Sequence, residues 1–261
     1  FDVKIIAVTG SNGKTSTVEM IAAILRADGR KVVYNEEGSN QIEGVTTMVL
    51  THATLSGKVN ADVLLIESDE RYAAHTFRFF HPTHFVITNL YRDQLTRNGH
   101  PEWVYHAIEP AIHSDTTLVL NADDPLVSCF ARSHEKVKWF GLDHVPSDTT
   151  EPVGMYRDGA YCPVCRAPMT YDYYHYNHIG AYHCTACGHH RSPTDFTATD
   201  LDLSAGRLTI DGSAEIQLAF RSIYNVYNIL AAYAVCSLAG VKQETIVGVI
   251  NNYILKNGRM V

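Results

Sequence analysis

The sequence predicts an α/β fold, a mostly parallel sheet flanked by helices, with a small antiparallel sheet and an inserted four-cysteine zinc ribbon. Three observations predict it. Near-continuous apolar runs alternate with helical stretches as far as about residue 140, the pattern of strands buried on both faces. A glycine-rich turn stands between the first such run and the first helix. Two Cys-x-x-Cys pairs interrupt the pattern further on.

The first strand is Ile5–Val8, followed by Thr9-Gly10-Ser11-Asn12-Gly13-Lys14-Thr15 and a helix over Ser16 to Ala27. Val18, Ile21, Ala22 and Leu25 recur on one face of that helix, and Gly29 is its stop. Strand, turn and helix in this order build a polyphosphate site. Backbone N–H groups converge on anionic oxygens, and the helix N-terminus adds partial positive charge. The candidate nucleotide contacts are therefore Gly10, Ser11, Asn12, Gly13, Lys14, Thr15 and Ser16. Lys14 can reach terminal phosphates, and the Thr15 hydroxyl can ligate Mg²⁺. The general phosphate-loop pattern has a glycine five residues before Gly13, where this chain has Val8, so the loop is a variant form.

Further strands are expected at Val32–Tyr34, Val63–Ile66, Phe85–Thr88, Leu118–Leu120 and Val137–Phe140, with helices over Glu70–Phe80 and Glu102–Ser114. Three strands run into polar clusters: Glu67-Ser68-Asp69-Glu70, Thr88-Asn89 with Asp93 beyond, and Asn121-Ala122-Asp123-Asp124. Ligands of open α/β sheets bind beyond the carboxyl ends of strands. All three clusters are thus expected to converge on the loop as one Mg²⁺–nucleotide site.

From Gly141 to Phe196 Tyr, His, Pro, Gly and Cys dominate and no helical period survives. Within it, residues 156–192 are expected to form the ribbon. Cys162, Cys165, Cys184 and Cys187 make two knuckles separated by 18 residues, the spacing of a tetrahedral structural Zn²⁺ site. His175, His178, His183, His189 and His190 stand close enough for one to replace a thiolate, and a pair of redox dithiols remains the alternative. Cys129 and Cys236 read as ordinary buried thiols. Thr197–Leu203, Arg207–Ile210 and Glu215–Phe220 then alternate as an antiparallel meander, and Ser222–Leu238 returns to a helix.

A net charge of −7 argues against a nucleic-acid binder. No apolar run approaches the ~20 residues of a membrane helix, and no signal segment opens the chain. Paired metal-binding cysteines fit a reducing cytoplasm. The chain starts without Met, at the threshold of a strand, and reads as a piece of a longer protein.

The ordered motifs resemble the Mur ligase family along nearly the whole chain. Gly10–Thr15 is similar to the family's ATP loop, and Glu67 falls where the family has a Mg²⁺-binding glutamate. Thr88-Asn89-Leu90-x-x-Asp93-Gln94-Leu95 resembles the family's T-N-x-x-x-D-H-L-D stretch, and Asn121-Ala122-Asp123-Asp124 its N-x-D-D. Asn225 and Asn228 fall on the helix whose asparagines contact adenine and phosphate. The resemblance implies a central ATP-binding domain over residues 1–261. Lys14, Glu67 and Asp93 would be catalytic, Asn40 would touch the substrate, and the C-terminal domain would follow Gly258-Arg259. Without that domain the chain alone is expected to be inactive.

The departures point to one branch. Gln94 replaces a histidine, Thr96 an aspartate, no UDP-binding domain precedes the loop, and a ribbon interrupts the domain. That resemblance implies ATP-dependent amidation of the D-glutamate α-carboxylate of lipid II to D-isoglutamine through an acyl phosphate. A GatD-like glutamine amidotransferase subunit would supply ammonia, and contact with the membrane would be peripheral, through the lipid-linked substrate. The alternatives are another Mur-like amide ligase, amino-acid-adding or folylpolyglutamate in type, and a non-catalytic nucleotide-binding zinc scaffold.

Overall fold

The computed structural model describes residues 3–35, 40–55, 57–92, 100–152, 157–219 and 221–253. Every strand expected before residue 142 is present: β1 (Lys4–Thr9), β2 (Val32–Tyr34), β3 (Val63–Glu67), β4 (His84–Ile87), β5 (Thr117–Asn121) and β6 (Val137–Leu142). All pair in parallel, in the order β6-β5-β4-β1-β3-β2. The chain leaves β1 for β2 and β3 on one side and then crosses to β4 on the other. That reversal opens a crevice at the carboxyl end of β1, where the loop lies.

The apolar runs are nearly continuous because both faces are covered. Ile6, Val8, Leu65, Val86 and Val119 pack against α1 (Lys14–Ala27) and α5 (Ile223–Leu238). Their strand neighbours Ile5, Ala7, Leu64, Ile66, Phe85 and Leu118 face α2 (Ile42–His52), α3 (Ala73–Thr76) and α4 (Pro101–Ile108). Helix α5 is buried at every position from Val226 to Cys236, wedged between α1 and the sheet. After α1, Gly29 adopts φ 80°, the left-handed stop its sequence position implies.

Two expected helices are shorter than their periodicity suggests. Only Ala73–Thr76 is helical within 70–80, because Asp69 binds the backbone N–H and guanidinium of Arg71 and fixes a turn there. Helix α4 ends at Ile108 and tightens into a 3-10 turn over Glu109–Ala111, where Pro110 has no N–H to continue it. Two helices that the sequence reading does not name are found in the structure: α2, which buries just Val45 and Met48, and α6 (Gln243–Asn251), which buries Ile246 and Ile250.

The meander is β9 (Phe196–Asp202), β10 (Arg207–Ile210) and β11 (Ala214–Gln217). It is not a separate sheet: β9 pairs in parallel with β6, so the antiparallel strands extend the main sheet to nine. The separate antiparallel sheet is the hairpin of β7 (Thr170–Tyr176) and β8 (Ile179–His183) in the ribbon. Its tip is not peripheral, since Tyr176 and Ile179 belong to the α5-side core. Among the described residues no helix is long and apolar enough to cross a membrane.

Candidate nucleotide and metal sites

The loop is held down by the strand and helix behind it. Gly10 sits at φ 134° and Gly13 at φ 83°. A Cβ at Gly10 would collide with Thr88 Oγ1, and one at Gly13 with Asn228 Oδ1. Both glycines are therefore required twice, by conformation and by contact. Thr88 and Asn89 at the end of β4 grip the loop. The Asn12 N–H donates to Asn89 Oδ1 at 2.9 Å, and Thr88 Oγ1 donates to the Asn12 carbonyl at 2.8 Å. Asn12 Nδ2 donates to the Tyr91 hydroxyl at 2.6 Å, and the Tyr91 N–H to Ser11 Oγ at 3.1 Å. The first-turn N–H groups of α1 have no intrahelical acceptor, so a positive, donor-rich surface is left at Gly13 to Ser16.

Acidic side chains face that surface. Lys14 Nζ lies 3.0 Å from Glu70 Oε2 and donates to the Gly10 carbonyl at 2.5 Å. Thr15 Oγ1 donates to Glu67 Oε1 at 3.2 Å, and Asn40 Nδ2 to the same oxygen at 3.3 Å. The Glu67 backbone is clamped by the Asn35 amide, which donates to its carbonyl and accepts from its N–H, each at 2.8 Å. Glu67 and Glu70 are buried. Burial raises the pKa of nearby Asp69, but the Arg71 bonds outweigh it and hold the carboxyl below its usual value. Asn228 reaches the loop directly, within 3.5 Å of Thr17 Oγ1, and donates to Asn225 Oδ1 at 3.4 Å. Thr15 and Glu67 thus supply oxygens around one point, a donor set that suits Mg²⁺, while the Asn40 amide nitrogen steadies the carboxylate.

The cysteine quartet also assembles. All four sulfurs lie within 4.8 Å of one another, with Cys162–Cys187 at 3.6 Å and Cys165–Cys184 at 3.5 Å. A tetrahedron with arms of ~2.3 Å has edges of about 3.8 Å, so four thiolates at these separations fit one Zn²⁺. Each knuckle closes through a left-handed residue, Arg166 at φ 66° and Gly188 at φ 77°. The Arg166 N–H donates to the Cys162 carbonyl and the Gly188 N–H to the Cys184 carbonyl, both at 2.9 Å. The backbone N–H groups of Cys187 and Ala186 lower the Cys184 thiol to about 7, whereas burial raises Cys162 to about 12, so four thiolates together need the charge of a bound cation. Cys129 and Cys236 are buried, and burial raises both thiols, Cys129 to about 12, as inert core thiols.

With this geometry in view, the profile of the Mur ligase middle domain matches residues 8–162. The chain belongs to the Mur ligase family. Curated relatives include the MurT subunit of lipid II isoglutaminyl synthase (glutamine-hydrolyzing) from Staphylococcus aureus strain COL. It is 30% identical over 257 residues, covering 98% of this chain and 57% of its own length. The MurT subunit from Streptococcus pneumoniae R6 is 32% identical over 250 residues, 93% of this chain and 54% of the relative. The chain therefore spans little more than half the length of these relatives. Among solved structures, a pseudomurein peptide ligase type C from Methanothermus fervidus superposes with a TM-score of 0.78 at 24% identity, over 99% of this chain and 51% of that one. MurF from Acinetobacter baumannii gives 0.67 at 20%, over 99% and 48%. These two show the shared Mur ligase fold.

Within that fold the expected site residues divide. Lys14, Thr15, Glu67, Asn40 and Asn228 gather at the loop, with Asn225 joined through Asn228. Asp93 and Gln94 lie outside the described residues, as do Gly258 and Arg259. In the third cluster Asn121 Nδ2 donates to the Thr88 carbonyl behind the loop at 2.9 Å, but the two carboxylates are bound elsewhere. Asp124 accepts from the N–H groups of Leu90, Leu126 and Val127 at 2.8–3.1 Å. Asp123 accepts from the Leu142 N–H at 2.8 Å, the Tyr227 hydroxyl at 2.7 Å and Arg191 Nε at 2.5 Å. Both carboxylates are fully buried and serve as clamps among β5, β6, α5 and the ribbon. The sequence places Glu70 in a cluster expected at the loop without showing its pairing with Lys14, and it singles out neither the Asn35 clamp on Glu67 nor the Tyr91 contact with Asn12, which only the fold brings together.

Proposed function

We propose that the chain is the ATP-binding part of an amide-forming ligase that amidates the D-glutamate α-carboxylate of lipid II, with ammonia from a GatD-like glutaminase subunit, in the cytoplasm. What carries the reading is coverage. The MurT alignment runs through 98% of the chain, ribbon included, whereas a UDP-N-acetylmuramoylalanine–D-glutamate ligase from Thermobifida fusca aligns over 49%.

In this reading ATP phosphates lie on the N–H groups of Gly13 to Ser16, and Lys14 exchanges Glu70 for phosphate oxygen. Thr15 and Glu67 would hold Mg²⁺, which would neutralise phosphate charge. The acceptor carboxylate attacks the γ-phosphorus, the bond to ADP breaks, and ammonia then displaces phosphate from the acyl phosphate. Such transfers depend on positioning and charge neutralisation more than on acid–base groups, which suits a site built of amides, one lysine and buried carboxylates. Asn225 and Asn228 would hold the nucleotide from α5, Asn40 would touch the acceptor side, and Asp93 would act as a further metal or water ligand. The zinc ribbon over 156–192 is structural in this scheme. The test is mass spectrometry of lipid II incubated with ATP, glutamine, the glutaminase and this protein at its relatives' full length. A gain of one amide per stem peptide is expected, and unchanged lipid II would sink the reading.

A further inference from the structure

We propose that the cleft between the first cysteine knuckle and the start of α4 is a second ligand site, taking a carboxylate or phosphate group carried on a partly apolar molecule. The cleft holds about 260 Å³, small among ligand pockets but ample for one acidic group and its substituents. Leu90, Leu126 and Pro125 form its apolar side.

Its lining is net positive, with three arginines against the carboxylates of Glu102 and Asp158. Arg92, Arg157 and Arg166 all line it, in a protein of net charge −7. Two of them tie the cleft together. Arg92 Nε is 3.0 Å from Asp158 Oδ1, and Arg166 pairs with Glu102 of α4. Arg157 is exposed beside them, and among the described residues no carboxylate forms an ion pair with it. Guanidinium groups at the wall of a cleft bind carboxylates and phosphates through charge-assisted, often bidentate hydrogen bonds.

The second observation is His178, which also lines the cleft. It stands at the tip of the β7–β8 turn, 3% exposed, with Nε2 3.8 Å from Asp124 Oδ2. Its Nδ1 is buried and has no hydrogen-bond partner among the described residues. A buried polar atom left unpaired is costly, and a ligand group that reached it after a small shift of the ring or of the Gly159 turn would recover that cost. The loop above it is shaped to approach. Gly159 is at φ 78°, and a Cβ there would come within 2.7 Å of His178 Cβ.

The cleft is coupled to the phosphate loop through one side chain. The Tyr91 hydroxyl accepts from Asn12, and the Tyr91 ring meets His178 edge-on at 6.3 Å between centroids. Resting on the ligase reading above, the natural occupant is a second acidic group of the acceptor, held here while its reacting carboxylate faces Lys14. Free phosphate has the same chemistry and is the other source.

The test is histidine-labelled NMR of the zinc-loaded protein, titrated separately with sodium phosphate and with a muramoyl peptide bearing a free glutamate carboxylate. A saturable shift of the His178 ring signals is expected with at least one probe. Binding should weaken about tenfold or more in Arg157→Gln, with zinc content and ATP affinity unchanged. Tighter binding of the peptide than of phosphate assigns the site to the acceptor, and the reverse assigns it to free phosphate. No saturable shift with either probe at millimolar concentrations, or equal affinity in Arg157→Gln, overturns the proposal. The readout needs no turnover, so a failure to amidate lipid II would remove the ligase reading and leave this one standing.

Discussion

Two groups of buried carboxylates lie at the carboxyl edge of one sheet, and they are satisfied by different kinds of partner. Glu67 and Glu70 meet side chains: Thr15 and Asn40 at 3.2–3.3 Å, and Lys14 at 3.0 Å. Asp124 meets backbone N–H groups, and Asp123 meets one backbone N–H, a buried tyrosine hydroxyl and an arginine. Lys14 and Thr15 stand on the loop and can rotate away when a ligand or cation arrives, whereas the backbone donors of Asp124 and the buried Tyr227 and mostly buried Arg191 of Asp123 are fixed by the packing around them. Burial and charge are alike in the two groups, so they do not identify a binding site. The nature of the donors does.

The largest effect should come from the ribbon that the Asp123 group holds. We predict one zinc per chain in natively purified protein. Structural zinc in isolated finger peptides contributes on the order of 10 kcal/mol or more. Here its loss should reach beyond the knuckles, because Tyr176 and Ile179 enter the main core and Gly180 N–H donates to the Asp123 carbonyl. Cys184→Ser should therefore lower the main thermal transition as well as abolish zinc binding. An unchanged transition in a metal-free variant would show that the ribbon folds independently of the sheet.

Next in size is Asp123→Ala. It strands Arg191, whose guanidinium is mostly buried, and leaves Tyr227 without its acceptor. Removing one member of a buried, hydrogen-bonded pair typically costs about 3–5 kcal/mol. Denaturant unfolding should register that loss, with any nucleotide affinity that survives folding near wild type. Lys14→Ala should act on binding as well as on stability. Its pair with Glu70 is as buried as that of Asp123 with Arg191, so stability should fall too, and nucleotide binding should in addition lose about 1.5–3 kcal/mol. Calorimetric titration showing equal affinity in Lys14→Ala would remove the loop as the nucleotide site.

The same contrast explains what was legible in the sequence. The parallel strands are readable because each is a short apolar run with both faces covered, and the loop and knuckles because spacing alone fixes their chemistry. Roles that depend on distant partners are not readable. Asp123 and Asp124 look like a third ligand cluster in sequence, yet Tyr227 is 104 residues away and Arg191 is 68. Glu70 stands 56 residues from Lys14. Helices α2 and α6 each bury only two residues, so their apolar stripes are short and easily read as loop.

The smallest predicted effect separates cation from phosphate at the exchangeable cluster. Glu67→Gln keeps a carbonyl oxygen for Thr15 and Asn40 and keeps the backbone atoms that Asn35 clamps, so the fold should be indifferent. What it removes is a formal charge. Mg²⁺ holds several waters and uses few protein carboxylates, and a water can take the vacated position. The loss should therefore be modest, about 1 kcal/mol or roughly fivefold in nucleotide affinity, and it should appear only with Mg²⁺ present. Lys14→Ala, acting on phosphate oxygens directly, should weaken binding with or without the cation. If Glu67→Gln weakened binding equally in the presence of a chelator, Glu67 would be shaping the loop through Thr15 and not holding the metal.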